Sequence, residues 1–264
     1  CAAGLHEECW HEVYGRRINR EKNYFLTSAL GAYSADLSVL SRFFEHPWDA
    51  ESSRLNDHEN RRLFDMVGKR LEAMGRAHEA VPLLESSYDI FQAQQRYGNA
   101  SKTAGHLCET YLTIGPIADA RRWAEAAVFD AVNDTSEESI RKTNQVLALG
   151  RLSDVLLAAG DASGALAKCD EALSIQTTRG GLASLTGYRY ACALLANHKI
   201  LAAKDQAKYA LSKERNFQKR RRDLGDTEKW HLPAALLLSI LCEVKLAQGK
   251  PDHALTLVDK VVAE

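Results

Sequence analysis

Four short phrases decide the reading of this chain: Leu71-Glu72-Ala73-Met74-Gly75, Leu112-Thr113-Ile114-Gly115, Leu156-Leu157-Ala158-Ala159-Gly160 and Leu246-Ala247-Gln248-Gly249. Each is followed by an alanine five residues beyond its glycine, at Ala80, Ala120, Ala165 and Ala254. A leucine-led stretch that ends in glycine reads as a helix stopped by a residue able to take the left-handed conformation. The alanine marks a second helix, whose small side chain lets it lie close against the first. The phrase therefore predicts a string of helical hairpins.

The hairpins resemble those of the tetratricopeptide repeat (TPR) family. Its register of about 34 residues can be laid on the glycines to test where large and small side chains fall. From Arg61 the interlocking set is Phe64, Val67, Gly68, Leu71, Ala80 and Leu84. From Ser101 it is Ala104, Leu107, Cys108, Tyr111, Ala120, Ala124 and Ala127, and from Val146 it is Leu149, Leu152, Ser153, Leu156, Ala165, Cys169 and Ala172. From Ala235 it is Leu238, Leu241, Cys242, Ala254, Val258 and Val261, with Lys245 standing where an aromatic or leucine is usual. The glycines are 40, 45 and 89 residues apart, so a degenerate unit is expected inside the last interval, with helices near 182–196 and 202–216. Spacings above the minimal unit imply longer helices or loops, as at 130–138 and 179–182.

The resemblance implies an all-α, right-handed superhelical solenoid of antiparallel helix pairs in one array over 1–264. N-terminal helices occupy 1–48, and repeats occupy 61–94, 101–134, 146–179, about 182–216 and 235–264. Residues 5–45 read as helical, with Phe25, Leu26, Leu30, Tyr33, Leu37, Leu40 and Phe44 at steps of three or four, and a loop is expected over 47–60. A start at Cys1 rather than Met, and an end at Val261-Val262-Ala263-Glu264 without a polar cap, are read as a piece of a longer protein.

Composition narrows the function classes. Hydrophobic residues make up 45% and charged residues 26%, enough for a sizeable core. Lysine plus arginine (34) nearly balances aspartate plus glutamate (35), so the net charge of -1 supplies no global attraction for nucleic acid or anionic lipid. The apolar stretch from Leu232 to Val244 is shorter than the roughly 20 residues of a membrane span. No basic and apolar leader opens the chain. The six cysteines form no CxxC pair, which suits a reducing cytoplasm, and Cys108, Cys169 and Cys242 fall on small-residue packing sites.

Candidate chemistry is sparse. His6 and His11 bracket Glu7-Glu8-Cys9-Trp10, but five α-helical residues turn about 500°, so their imidazoles diverge by roughly 140° and no metal site is expected. Lys219-Arg220-Arg221-Arg222 is the one dense basic run, read as a solvated helix face or loop ahead of nucleic-acid contact. No phosphate-binding glycine pattern and no nucleophile elbow is present, so no cofactor and no catalytic residue is assigned. The inner face of a repeat array is built from first helices. Here it includes Arg62, Asp65, Lys69 and Glu72, then Lys102, Glu109, Leu112 and Thr113, then Leu147, Asp154 and Leu157. That mixture suits a peptide or a docked helix. The carboxylate clamp of chaperone-binding TPR proteins needs Lys and Asn at fixed sites, where this chain has Asp65, Gly105, Gly150 and Ser239, then Lys69, Glu109, Asp154 and Glu243.

Several strings look like the TPR tail of large bacterial signal-transduction ATPases of the NACHT or NB-ARC kind. They are Cys9 to Ile18, Leu30 to Leu37, Phe43-Phe44-Glu45-His46-Pro47-Trp48, Gly187-Tyr188-Arg189-Tyr190 and His231-Leu232-Pro233. The resemblance implies a sensor or scaffold arm with an effector domain upstream. The expected function is a non-catalytic protein- or peptide-binding module, with self-association through uncapped ends and weak nucleic-acid binding through 219–222 as the alternatives.

Overall fold

The computed structural model describes residues 4–20, 24–28, 30–175, 180–223 and 232–263. The chain groups into two compact units, Cys1–Asp134 and Thr135–Glu264. All regular structure among the described residues is helical, apart from a single antiparallel bridge between Phe44 and Ser53.

In the first unit the hairpins are α4 (Asp57–Ala73) with α5 (Ala77–Ala93), and α6 (Tyr97–Ile114) with α7 (Ile117–Asn133). In the second they are α8 (Glu138–Ala158) with α9 (Ala162–Ile175), α10 (Gly180–Ala196) with α11 (Ile200–Asp223), and α12 (Leu232–Ala247) with α13 (Pro251–Ala263). Each helix packs on its hairpin partner, and within a unit α5 also packs on α6, α9 on α10, and α11 on α12.

The turns follow from the glycines. Gly75, Gly115, Gly160 and Gly249 all have positive φ, at 74°, 108°, 81° and 68°. After three of them the chain closes a bond from the residue past the glycine to a carbonyl five back: Arg76 donates to Leu71, Asp161 to Leu156 and Lys250 to Lys245, at 2.8–2.9 Å. Pro116 has no N–H to give, so the five-back bond is absent there and Gly115 itself donates to Tyr111. The alanines beyond the turns are buried: Ala80, Ala120 and Ala165 are fully covered and Ala254 nearly so. Large partners from the same register, such as Phe64, Leu84, Leu107, Leu149 and Leu238, fill the interlocking sites. Cys108, Cys169 and Cys242 are buried free thiols. Val258 departs from the expected register and is exposed. Side chains from 259 onward, Val261 included, lie outside the described residues, as do Cys1, Arg179 and His231.

The turn between α10 and α11 lacks glycine. His198 takes the left-handed conformation instead, at φ 59°, and Lys199 donates to Leu194 in the same five-back bond. Asn197 Nδ2 reaches across to the Ala162 carbonyl at 2.6 Å and anchors the turn. Of the longer helices or loops expected from the spacings, longer helices are seen at α8 with 21 residues and α11 with 24, against 17 in α4. The run Lys219 to Arg222 lies within the span of α11.

The N-terminal segment is a series of short helices. The segment breaks into α1 (His6–Glu8), a π-helical stretch over Cys9–Ile18, α2 (Phe25–Ser28) and α3 (Tyr33–Leu40). Left-handed backbone at Arg20, Tyr24 and Gly31 turns the chain between them, leaving Leu30 exposed and Tyr33 partly so. Bonds spanning five residues replace the α-helical spacing, as in Asn19 N–H to Tyr14 O at 2.8 Å. The α-helical angle assumed for His6 and His11 does not apply from Cys9 onward, and His11 Nε2 lies 3.5 Å from Glu59 instead. Trp10 stacks on Tyr14 and meets Phe43 edge-on, while its indole N–H donates to Glu59 Oε2 at 2.5 Å. Buried Asp36 joins α3 to α4, accepting from Tyr14 and from Arg70. The loop before α4 is shorter than expected, since Asn56 caps the helix by accepting from Glu59 N–H and starts it at Asp57.

Candidate protein-binding face

On α4 the positions 62, 65, 69 and 72 recur at steps of three and four, and on α6 so do 102, 106, 109 and 113, so each set lies along one helix face. The structure joins the two faces by direct bonds. Thr103 Oγ1 on α6 donates to Asp65 Oδ1 on α4 at 3.1 Å, and Asp65 also holds Lys69 Nζ at 2.8 Å. Further along the helices, His106 Nδ1 lies 2.8 Å from Glu72 Oε2 and 3.8 Å from Glu109 Oε2. Behind this face Tyr111 donates to Glu85 on α5 at 3.2 Å.

At the N-terminal ends of α4 and α6 the face opens into a cleft of about 280 Å³. Arg61, Arg62, Lys69, Arg96 and Lys102 line it, with Asp65 as its one carboxylate and Phe91 as apolar wall. Asp65 is engaged with Lys69, which leaves four cations. Arg61 is held by neutral partners, the Gln94 Oε1 and the His58 carbonyl. Arg62 lies 6.0 Å over the Trp10 ring. Among the described residues, Arg62, Arg96 and Lys102 form no ion pair. Burial, and after it the neighbouring Arg96 guanidinium, pull the Arg61 pKa below its ordinary value, with Glu59 opposing the fall and Arg62 adding to it. Like charges are thus crowded here at a cost that an incoming anion would relieve.

Of the residues expected on the inner face, Arg62, Asp65, Lys69 and Lys102 meet in this cleft, and Glu72 meets Glu109 through His106. Leu112 is half-buried and Thr113 exposed near the end of α6. In the second unit Leu147, Asp154 and Leu157 are half-buried on α8. Asp154 accepts from Arg189 Nε of α10 at 2.7 Å, and the arginine passes over Gly150, where a Cβ would lie 2.9 Å from Nη1. Arg61, Arg96, His106 and Arg189 were missed by the register. Arg61 and His106 lie beside its face positions, Arg96 belongs to a turn whose left-handed residue is Gln95 rather than glycine, and Arg189 falls in the degenerate unit. An excess of arginine around the first repeat boundary was the available signal.

No family model matches the chain, and no curated protein matches it. Solved structures do. Two crystal structures of a putative kinesin light chain from Podosopora anserina, described as nearly identical TPR-like repeats, are each 17% identical to it. They cover 78% and 77% of this chain and 95% of their own, with TM-scores of 0.55 and 0.53. BtubC (BKLC) from P. vanneervenii is 13% identical, covers 88% of this chain and 90% of its own, and has a TM-score of 0.61. At such identities the likeness speaks for the fold alone, and that fold is a TPR-like array of helical hairpins.

Proposed function

We propose that this chain is a non-catalytic protein-binding scaffold whose α4/α6 face receives an acidic segment of a partner protein. The observation that carries the reading is the cleft in which Arg61, Arg62, Arg96 and Lys102 gather beside a single lining carboxylate, Asp65, that Lys69 already engages. TPR-like neighbours support an interaction module, and an extended segment laid along first helices would place acidic side chains in the cleft and apolar ones near Phe91 and Leu112. The strings that resemble NACHT-type tails extend the proposal to a sensor or scaffold arm of a bacterial signalling protein, for which a phosphate loop encoded upstream of Cys1 is the expected companion.

The test is fluorescence anisotropy of the chain with a labelled Asp/Glu-rich peptide and a Gln-substituted control. Arg96→Gln with Lys102→Gln, both exposed, should weaken the acidic peptide at least tenfold, about 1.4 kcal/mol, without altering the helical circular dichroism. Equal binding of the control peptide, or tighter binding of single-stranded DNA than of either peptide, would overturn the reading.

A further inference from the structure

We propose that Glu72, His106 and Glu109 form a site for a first-row divalent transition cation such as Zn2+ or Co2+. The imidazole Nδ1 and one oxygen of each carboxylate lie within 4.8 Å of one another. The shortest separations are 2.8 Å to Glu72 and 3.8 Å to Glu109. Ligand bonds of about 2.0–2.2 Å to a tetrahedral ion set donor atoms roughly 3.2–3.6 Å apart. The observed separations bracket that span, so side-chain torsions alone would close the triad.

Three further features favour a transition cation. One nitrogen and two carboxylate oxygens make a donor set suited to zinc or cobalt, whereas calcium takes more oxygens at longer distances and magnesium an octahedral shell of oxygens. His106 and Glu109 stand one turn apart on α6, the three-residue spacing by which helix-borne His and Glu reach one ion, and Glu72 completes the set from α4. The side chains are between 20% and 38% exposed, open enough for entry and for water at the fourth position. Among the described residues Glu72 has no ion-pair partner besides His106. At 2.8 Å from the Glu72 carboxylate, Nδ1 donates its proton to it in the metal-free chain, and an ion would take that proton's place with the remaining N–H on Nε2.

An ion there would tie the first helices of two successive hairpins together, on the face proposed to meet a partner. The site itself does not depend on that proposal. A protonated His106 bridging both carboxylates is the competing account of the same geometry, and metal titration separates the two.

The experiment is thermal denaturation of the untagged, chelator-treated chain with Zn2+, Co2+ or Mg2+. At a hundredfold excess over Kd, Zn2+ and Co2+ should raise Tm by about 5–10 °C and Mg2+ should not. His106→Ala should abolish the shift. Glu109→Gln, at the most exposed ligand, should weaken Co2+ binding at least tenfold and carries the test if the histidine variant misfolds. The cobalt spectrum should lack a thiolate charge-transfer band, which excludes the free cysteines as ligands. No shift in the native chain, an equal shift in His106→Ala and Glu72→Gln, or a thiolate band would overturn the site.

Discussion

Two buried carboxylates of the first unit titrate in opposite directions, and the difference is in their hydrogen bonds. Asp130 on α7 accepts from Gln92 Nε2 at 2.6 Å through Oδ1, while its buried Oδ2 meets no donor. Burial raises its pKa, and Gln92 offsets that only in part. Tyr88 alongside is pushed up to about 12 by burial first and by the Asp130 charge next. For a raised acid the stabilising contribution is complete below the unfolded-state pKa and is lost as pH rises through the folded-state value. Asp130→Asn should therefore be neutral or stabilising by about 1 kcal/mol at pH 7, and should remove the Asp130 contribution to any fall in Tm as pH rises above the ordinary carboxylate range. Glu59 behaves the other way. Burial pushes it up, but hydrogen bonds from His58 and Trp10 and the nearby His11 outweigh burial and hold it below the ordinary range. Its contribution is present above the unfolded-state pKa and disappears as pH falls through the lowered one. Glu59→Ala would leave the Trp10 N–H without its acceptor and should cost about 1–3 kcal/mol, visible as loss of near-ultraviolet dichroism from the Trp10–Tyr14 stack.

Hairpins stand or fall on the turn and on the small residue beyond it. Ala120 is fully buried where α7 crosses α6, so Ala120→Trp should overpack the contact and cost about 1–3 kcal/mol or more in urea unfolding. Gly68→Ala tests the same closeness in the preceding pair, because a new Cβ would lie 2.6 Å from Leu84 Cγ. The α10/α11 turn offers the reverse experiment. A non-glycine residue in the left-handed region costs roughly 1–2 kcal/mol, and glycine returns part of that as unfolded-state entropy. His198→Gly should therefore gain up to about 1 kcal/mol, a rise of roughly 2–4 °C in Tm. These turns explain what could be read in advance. Gly75, Gly115, Gly160 and Gly249 advertise left-handed caps, so four hairpins were legible. His198 and Gln95 take the same conformation without advertising it, which is why the fourth hairpin had to be inferred from a doubled interval.

Across the whole chain the charges almost cancel, and yet the candidate cleft concentrates four cations. Binding of an acidic segment should accordingly weaken severalfold as salt rises from about 0.05 to 0.5 M, since the Debye length shrinks well below 10 Å above 0.1 M. The Tm of the unliganded chain should change little over that range, because buried apolar contacts carry the fold. No helix among the described residues is long and apolar enough to cross a membrane.

What the residues determined by themselves was the helical repeat: the class, the four glycine turns, the buried alanines and the thiols used as packing groups all follow from local propensity and a recurring phrase. Local pattern also placed Arg62, Asp65 and Lys69 on one face of α4, and Lys102 on the corresponding face of α6. Only the tertiary structure decided that Arg61 and Arg96 join them, that His106 bridges Glu72 and Glu109, and that the N-terminal segment winds into a π-helix around Trp10 and Tyr14. The reason is physical: a turn or a helix face is set by neighbours a few residues away, whereas a cleft or a ligand cluster is made by side chains tens of residues apart, and no periodicity encodes their meeting.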